Sequence, residues 1–188
     1  MTEAEWLGSD RARPMLRFLR GRMADRKLRL FACACWRSWP PIREYPSALE
    51  VLDLVERYAD GLIPRPAHVP KPRNSIDAMV LTTRSDNAYS AACKVYYDLA
   101  YRENGWIVRD IFGNPFRPVA FDPAWRTETA VLLARQMYDS RDFGAMPILA
   151  DALQDAGCES EEILSHCRDA NQVHVRGCWV VDLVLGKE

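Results

Sequence analysis

Residues 25–37 read DRKLRLFACACWR, and how this stretch folds decides the architecture. At 100° per residue, Leu28, Phe31, Ala32, Cys35 and, just beyond, Trp39 gather on one face. Arg26, Arg29, Cys33 and Arg37 fall on the other. The pattern predicts an amphipathic helix over 26–39 with Asp25 as its N-cap. Pro40 and Pro41 end it, because a proline inside a helix removes a donor and clashes with the preceding turn. A second helix is predicted over 47–60, SALEVLDLVERYAD. It turns Val51, Leu52, Leu54, Val55, Tyr58 and Ala59 inward and Glu50, Asp53, Glu56 and Arg57 outward, and Gly61 closes it.

Working outward, the rest of the chain has the same character. Thr2 and Glu5 have the spacing of a capping box for a short opening helix. Pro14 suits the start of a helix that runs to Gly21. Ser75 and Asp86 are plausible caps for segments reaching about Glu103, the second with an inward stripe of Ala88, Ala91, Ala92, Val95, Tyr96, Leu99 and Ala100. Further helices are predicted at 124–139, 145–156 and 160–168, with Gly157 at a left-handed C-terminal position. Cys178 to Leu185 is apolar almost all round and reads as a buried helix. Residues 106–112 fit a helix or a strand equally well. Between the helices, LIPRPAHVPKPRN at 62–74 carries four prolines and no period, as an extended spacer does. The expectation is one all-α, compact domain over 1–188, of about seven to nine helices with a proline-rich connector.

Bulk composition narrows the class. With 188 residues, 48% hydrophobic and 27% charged, the chain has the make-up of a globular protein and not of a disordered one. No stretch approaches the roughly 20 apolar residues that span a bilayer, so no membrane association is expected. MTEAEWLGSD lacks the pattern of a secretory signal. The six cysteines therefore read as thiols or metal ligands in a reducing, cytoplasmic setting.

The charge is unevenly spread. Residues 1–43 hold ten Lys/Arg against four Asp/Glu, and the remainder holds fifteen against twenty-two, giving +6 and −7. Arg17, Arg20, Arg26, Arg29 and Arg37 come from adjacent predicted helices, with Trp36 at the edge between the basic and apolar faces. Such a face suits a protein partner. It also suits nucleic acid, since arginine grips phosphate in bidentate fashion. Salt bridges to the acidic remainder use the same charges more simply.

The soft metal ligands concentrate near the C-terminus. Cys158, His166, His174 and Cys178 supply the four N/S donors that zinc takes in a tetrahedron. If 174–178 is helical, His174 and Cys178 lie one turn apart, and Cys158 with His166 would supply the other half. The spacing matches no standard zinc pattern, and no cofactor other than zinc is implied. His166 and Cys167 point about 100° apart on a helix, which argues against a catalytic pair. Cys33 on the arginine face reads as a partly exposed thiol. Asp151 and Asp155, one turn apart, fit an exposed helix surface as readily as an acid–base pair. No glycine-rich phosphate loop, GxSxG, HExxH or calcium loop is present. These absences favour a non-catalytic helical interaction protein, with nucleic-acid binding and zinc binding (as a zinc protein or a zinc enzyme) as the rival readings.

Five stretches together resemble a group of short, uncharacterised proteins of planctomycete bacteria. They are MTEAEWL at 1–7, DRKLRLFACACWR at 25–37, RDIFGNPFRPV at 109–119, PILADALQDAGC at 147–158 and HVRGCWVVDLVLGKE at 174–188. The resemblance implies a bacterial cytoplasmic protein and carries no activity, cofactor or catalytic residue with it.

Overall fold

The computed structural model describes residues 1–65, 76, 80, 87–98 and 103–187. In chain order the helices are α1 Glu3–Gly8, α2 Ala12–Leu19, α3 Asp25–Arg37, α4 Pro46–Ala59, α5 Ala88–Asp98, α6 Gly105–Phe112, α7 Glu128–Ser140, α8 Met146–Asp155, α9 Glu161–Arg168 and α10 Trp179–Leu185. Short 3-10 turns stand at Pro40–Glu44 and Pro123–Trp125. The fold is all-α, with ten α-helices and no strand among the described residues. That is one more than the seven to nine expected. Residues 106–112, which periodicity left open, are helical, within α6. Most of the proline connector, from 66 to 74, lies outside the described residues, as do the caps expected at Ser75 and Asp86. None of the described helices is long and apolar enough to cross a membrane.

The chain groups into two compact units, Met1–Arg109 and Asp110–Glu188, the division falling within α6. In the first unit the capping box forms as the spacing requires. Thr2 N–H donates to Glu5 Oε2 at 2.8 Å, and Glu5 N–H donates to Thr2 Oγ1 at 3.2 Å. The centre of this unit is α3, which packs against both α4 and α5. Covered on more than one side, it buries every residue from Leu28 to Trp36. That corrects the two-faced reading, since Cys33 is fully buried and Arg29 is only 5% exposed. Asp25 is the first helical residue and Ala24 the N-cap, so the helix starts one residue early and ends at Arg37.

Glu56, expected to face outward, is 1% exposed because Arg37 reaches across from α3 to meet it. The Arg37 Nε donates to Glu56 Oε1 at 2.7 Å, and its terminal nitrogen donates to Asp53 Oδ1 at 2.6 Å. A buried carboxylate is tolerated only when a cation meets it in this way.

In the second unit α7 packs on α8 and α10, and α9 packs on α8 and α10. Leu149, Leu153, Ile163, Val180, Val181 and Val184 lie at the heart of their core, with Tyr138 beside them. The helix expected from 124 starts instead at Glu128. Asp122 caps the Pro123–Trp125 turn, and Thr127 Oγ1 accepts from Ala130 N–H at 3.2 Å to begin α7 proper. Gly157 takes the left-handed conformation expected of it, with φ at +89°.

Candidate metal centre

Four side chains of the second unit converge: Asp110, His166, His174 and Cys178, whose ligand-type atoms all lie within 4.8 Å of one another. They come from four places in the sequence. Asp110 sits in the last turn of α6, and His166 in the last turn of α9. His174 lies in the loop after α9, and Cys178 is the N-cap of α10.

The loop geometry brings the last two together. Residues 174–178 are not helical, which corrects the expectation of a one-turn helical pair. Cys178 N–H instead donates to the Val175 carbonyl at 2.9 Å, closing a tight turn. Gly177 holds φ at +96° within that turn, a conformation open to glycine at little cost. The turn folds His174 back over Cys178, leaving Nδ1 and Sγ 3.8 Å apart.

Asp110 is the hub. Its Oδ1 accepts from His174 Nδ1 at 2.7 Å and lies 3.4 Å from His166 Nε2, while Oδ2 accepts from Val175 N–H at 2.8 Å. Its side chain is fully buried. Burial alone pushes the Asp110 carboxyl up. The hydrogen bonds and charges of His166 and His174 more than reverse this and hold it below the usual carboxylate range. His166 is held below the ordinary imidazole value, chiefly by burial, with Asp110 pulling the other way. Burial, with the Asp110 charge adding to it, drives the Cys178 thiol well up. Around the ligands, Trp179 Nε1–H donates to His166 Nδ1 at 3.2 Å. The Gln172 amide nitrogen lies 3.1 Å from the same Nδ1.

These distances bracket those of a metal tetrahedron without matching it edge for edge. Bonds of about 2.0–2.3 Å to zinc set ligand–ligand edges of roughly 3.3–3.8 Å. The cluster has separations of 2.7 Å (Asp110–His174, a hydrogen bond shorter than such an edge), 3.2 Å (His166–Cys178), 3.4 Å (Asp110–His166) and 3.8 Å (His174–Cys178), with all four atoms inside 4.8 Å, so the side chains must adjust to close around an ion. The arrangement does not suit a cysteine nucleophile. An indole N–H can only donate, so His166 Nδ1 is the acceptor and Nε2 carries the hydrogen. That nitrogen cannot then take a proton from Cys178, whose residue is fully buried.

Of the residues named from sequence for a metal, His166, His174 and Cys178 meet and Cys158 does not. Cys158 is 1% exposed in the turn after α8, its N–H bonded to the Leu153 carbonyl, and belongs to the apolar core. Asp110 takes the fourth position. Its signal was present as a lone acid in the apolar run Ile107–Val108–Arg109–Asp110–Ile111–Phe112.

The residues named for partner or polyanion binding do not make one open face. Arg17 and Arg20 are exposed, and the Arg20 guanidinium lies 5.3 Å from the Tyr89 ring centre. Arg26 pairs with Asp60 at 3.0 Å and Arg37 with Glu56 and Asp53. Arg29 is buried over the Tyr58 ring, and Trp36 is 1% exposed. The enclosure of α3 by α4 and α5 is the physical reason. Asp151 pairs with Arg168 at 2.8 Å across α8 and α9. Among protein families, curated proteins and solved structures, nothing matches this chain.

Proposed function

We propose that this chain is a metal-binding protein in which Asp110, His166, His174 and Cys178 hold one zinc ion, and that the ion is structural. The observation that carries this reading is the convergence of four ligand atoms, from the end of α6, the end of α9 and the 174–178 turn, in a largely buried place. Charge balance supports zinc there. A divalent cation with the Asp110 carboxylate, a Cys178 thiolate and two neutral imidazoles sums to zero, so the buried centre avoids the large cost of an uncompensated charge. The donor set of two nitrogens, one sulfur and one oxygen is within the range zinc accepts.

Four protein ligands complete a tetrahedron and leave no position for a reacting water, which separates structural from catalytic zinc. In this role the ion ties the end of α6, the end of α9, the following loop and the start of α10 into one unit. His174 and Gln172 edge a surface pocket of about 440 Å³, which offers the ion a way in. A structural role also agrees with the lack of catalytic motifs in the sequence.

The test is elemental analysis of protein purified without chelator, joined to thermal unfolding with and without EDTA. About one zinc per chain is expected, reduced to background in Cys178→Ser and Asp110→Ala. A chain that stays zinc-free after incubation with zinc, and melts at the same temperature with or without it, overturns the reading.

A further inference from the structure

The hydrogen bond from Trp179 to His166 is the wrong one for a metal-loaded site. A neutral imidazole carries a single ring hydrogen. While Nδ1 accepts the Trp179 N–H, that hydrogen must sit on Nε2, the nitrogen that faces Asp110 and Cys178. An ion bound at Nε2 requires the opposite tautomer, with Nδ1–H needing an acceptor. Trp179 offers none, and its own N–H would then point at another N–H. Gln172 can supply the acceptor. Its amide nitrogen stands 3.1 Å from Nδ1 and 3.5 Å from Asp110 Oδ1, and a half-turn of the amide puts the carbonyl oxygen at that place and gives up the long contact with Asp110, whose charge a bound ion would then satisfy.

We infer that Trp179 holds metal-free His166 in the tautomer that cannot ligate, and that Gln172 takes over as the partner of Nδ1 when an ion arrives. This rests on the zinc reading above. Trp179 and Gln172 are positioning residues that do not supply a ligand atom: Trp179 acts through the His166 ring, and Gln172 through that ring and its long contact with Asp110. The exchange moves the ring hydrogen from Nε2 to Nδ1 without changing the charge of His166. It sets a threshold for capture, because zinc must displace the indole hydrogen bond before His166 can bind. Trp179 also packs its ring over Gly113, where an added Cβ would lie 3.3 Å from the indole, so phenylalanine preserves most of the contact while removing the donor.

The experiment combines nitrogen NMR of ¹⁵N-histidine-labelled chain with competitive zinc titration. The wild-type spectrum is expected to show His166 as the Nε2–H tautomer without metal and as Nδ1–H with zinc. Trp179→Phe is expected to bind zinc roughly three- to tenfold more tightly, the range one displaced hydrogen bond supports. Gln172→Leu is expected to bind it about tenfold more weakly, as loss of an outer partner does. An Nδ1–H tautomer in the metal-free wild type overturns the inference without any substitution. So does a Trp179→Phe affinity equal to or weaker than wild type. Failure of the wild type to bind zinc is a separate outcome: it removes the zinc reading and the exchange built on it, and the metal-free tautomer is still read directly.

Discussion

Asp110 and His174 stand 64 residues apart in the chain and 2.7 Å apart in space, joined by an Nδ1–H to Oδ1 hydrogen bond. The same carboxylate takes the Val175 N–H on its other oxygen at 2.8 Å, so it pins two consecutive residues of the loop between α9 and α10. Asp110→Ala leaves these donors buried without their acceptor. It should destabilise even the zinc-free protein by about 3 kcal/mol. Urea unfolding in the presence of EDTA measures this, and a loss under 1 kcal/mol would show that the loop is fixed by other means.

Acid should weaken the zinc-free second unit in two stages. His166 binds its proton less readily folded than unfolded, chiefly because it is buried. The unfolded chain therefore takes up the proton first, and stability falls once the pH drops below about 6.5. Asp110 is also held low in the fold, so its contribution is present above about pH 4 and is lost as the pH falls through its lower folded value. His166→Gln should flatten the upper stage and also shrink the lower one, because His166 is one of the two groups that hold the Asp110 carboxyl down. Melting temperatures measured from pH 7 to pH 3 decide this.

Zinc uptake near neutral pH should release about one proton per ion. Cys178, whose thiol burial drives well up, is protonated before metal arrives and must become a thiolate to ligate. Apparent affinity should therefore rise about tenfold per pH unit, as one linked proton requires. Calorimetric titration in buffers of different ionisation enthalpy counts the proton. A count of zero excludes Cys178 from the ligand set.

Arg37 holds two carboxylates of unequal worth. Glu56 has its side chain 2% exposed and Asp53 has its side chain 51% exposed. Glu56→Ala should cost roughly 3–4 kcal/mol by leaving the guanidinium without its buried partner, and Asp53→Ala under about 1 kcal/mol. Equal costs would mean that solvent screens both alike.

The start of α6 makes a steric prediction. At Gly105 a Cβ would fall within 3 Å of the Ser9 and Asp10 backbones, and Gly105 N–H donates to the Asp10 carbonyl at 2.9 Å. Gly105→Ala should cost about 2 kcal/mol or more, because backbone and not a flexible side chain must move. Gly8→Ala has nothing within 4 Å of the new methyl and should be neutral or slightly stabilising. Thermal melts of the two variants compare them directly.

How far the sequence could be read follows from these particulars. Periodicity located α3, α4 and the three helices after residue 124, because each has an apolar stripe that packing must cover. It misjudged Arg29, Cys33 and Glu56, because a helix enclosed from two sides buries its polar edge, and no single-helix projection contains the neighbouring helix. His166, His174 and Cys178 were legible as ligand types. Their meeting was not, since it depends on the Gly177 turn and not on helical spacing. Asp110 was passed over for Cys158, because donor chemistry favoured sulfur while proximity was set by where α6 ends.

The most direct measurement of the central claim is a cobalt(II) titration of the metal-free chain, followed by its visible absorption. Tetrahedral coordination with one thiolate predicts intense ligand-field bands and a sulfur-to-cobalt charge-transfer band, both saturating at about one equivalent and reversed by zinc. Cys178→Ser should remove the charge-transfer band. Weak bands of the octahedral type, or absorption that climbs without saturating, would contradict the existence of a metal centre at Asp110, His166, His174 and Cys178.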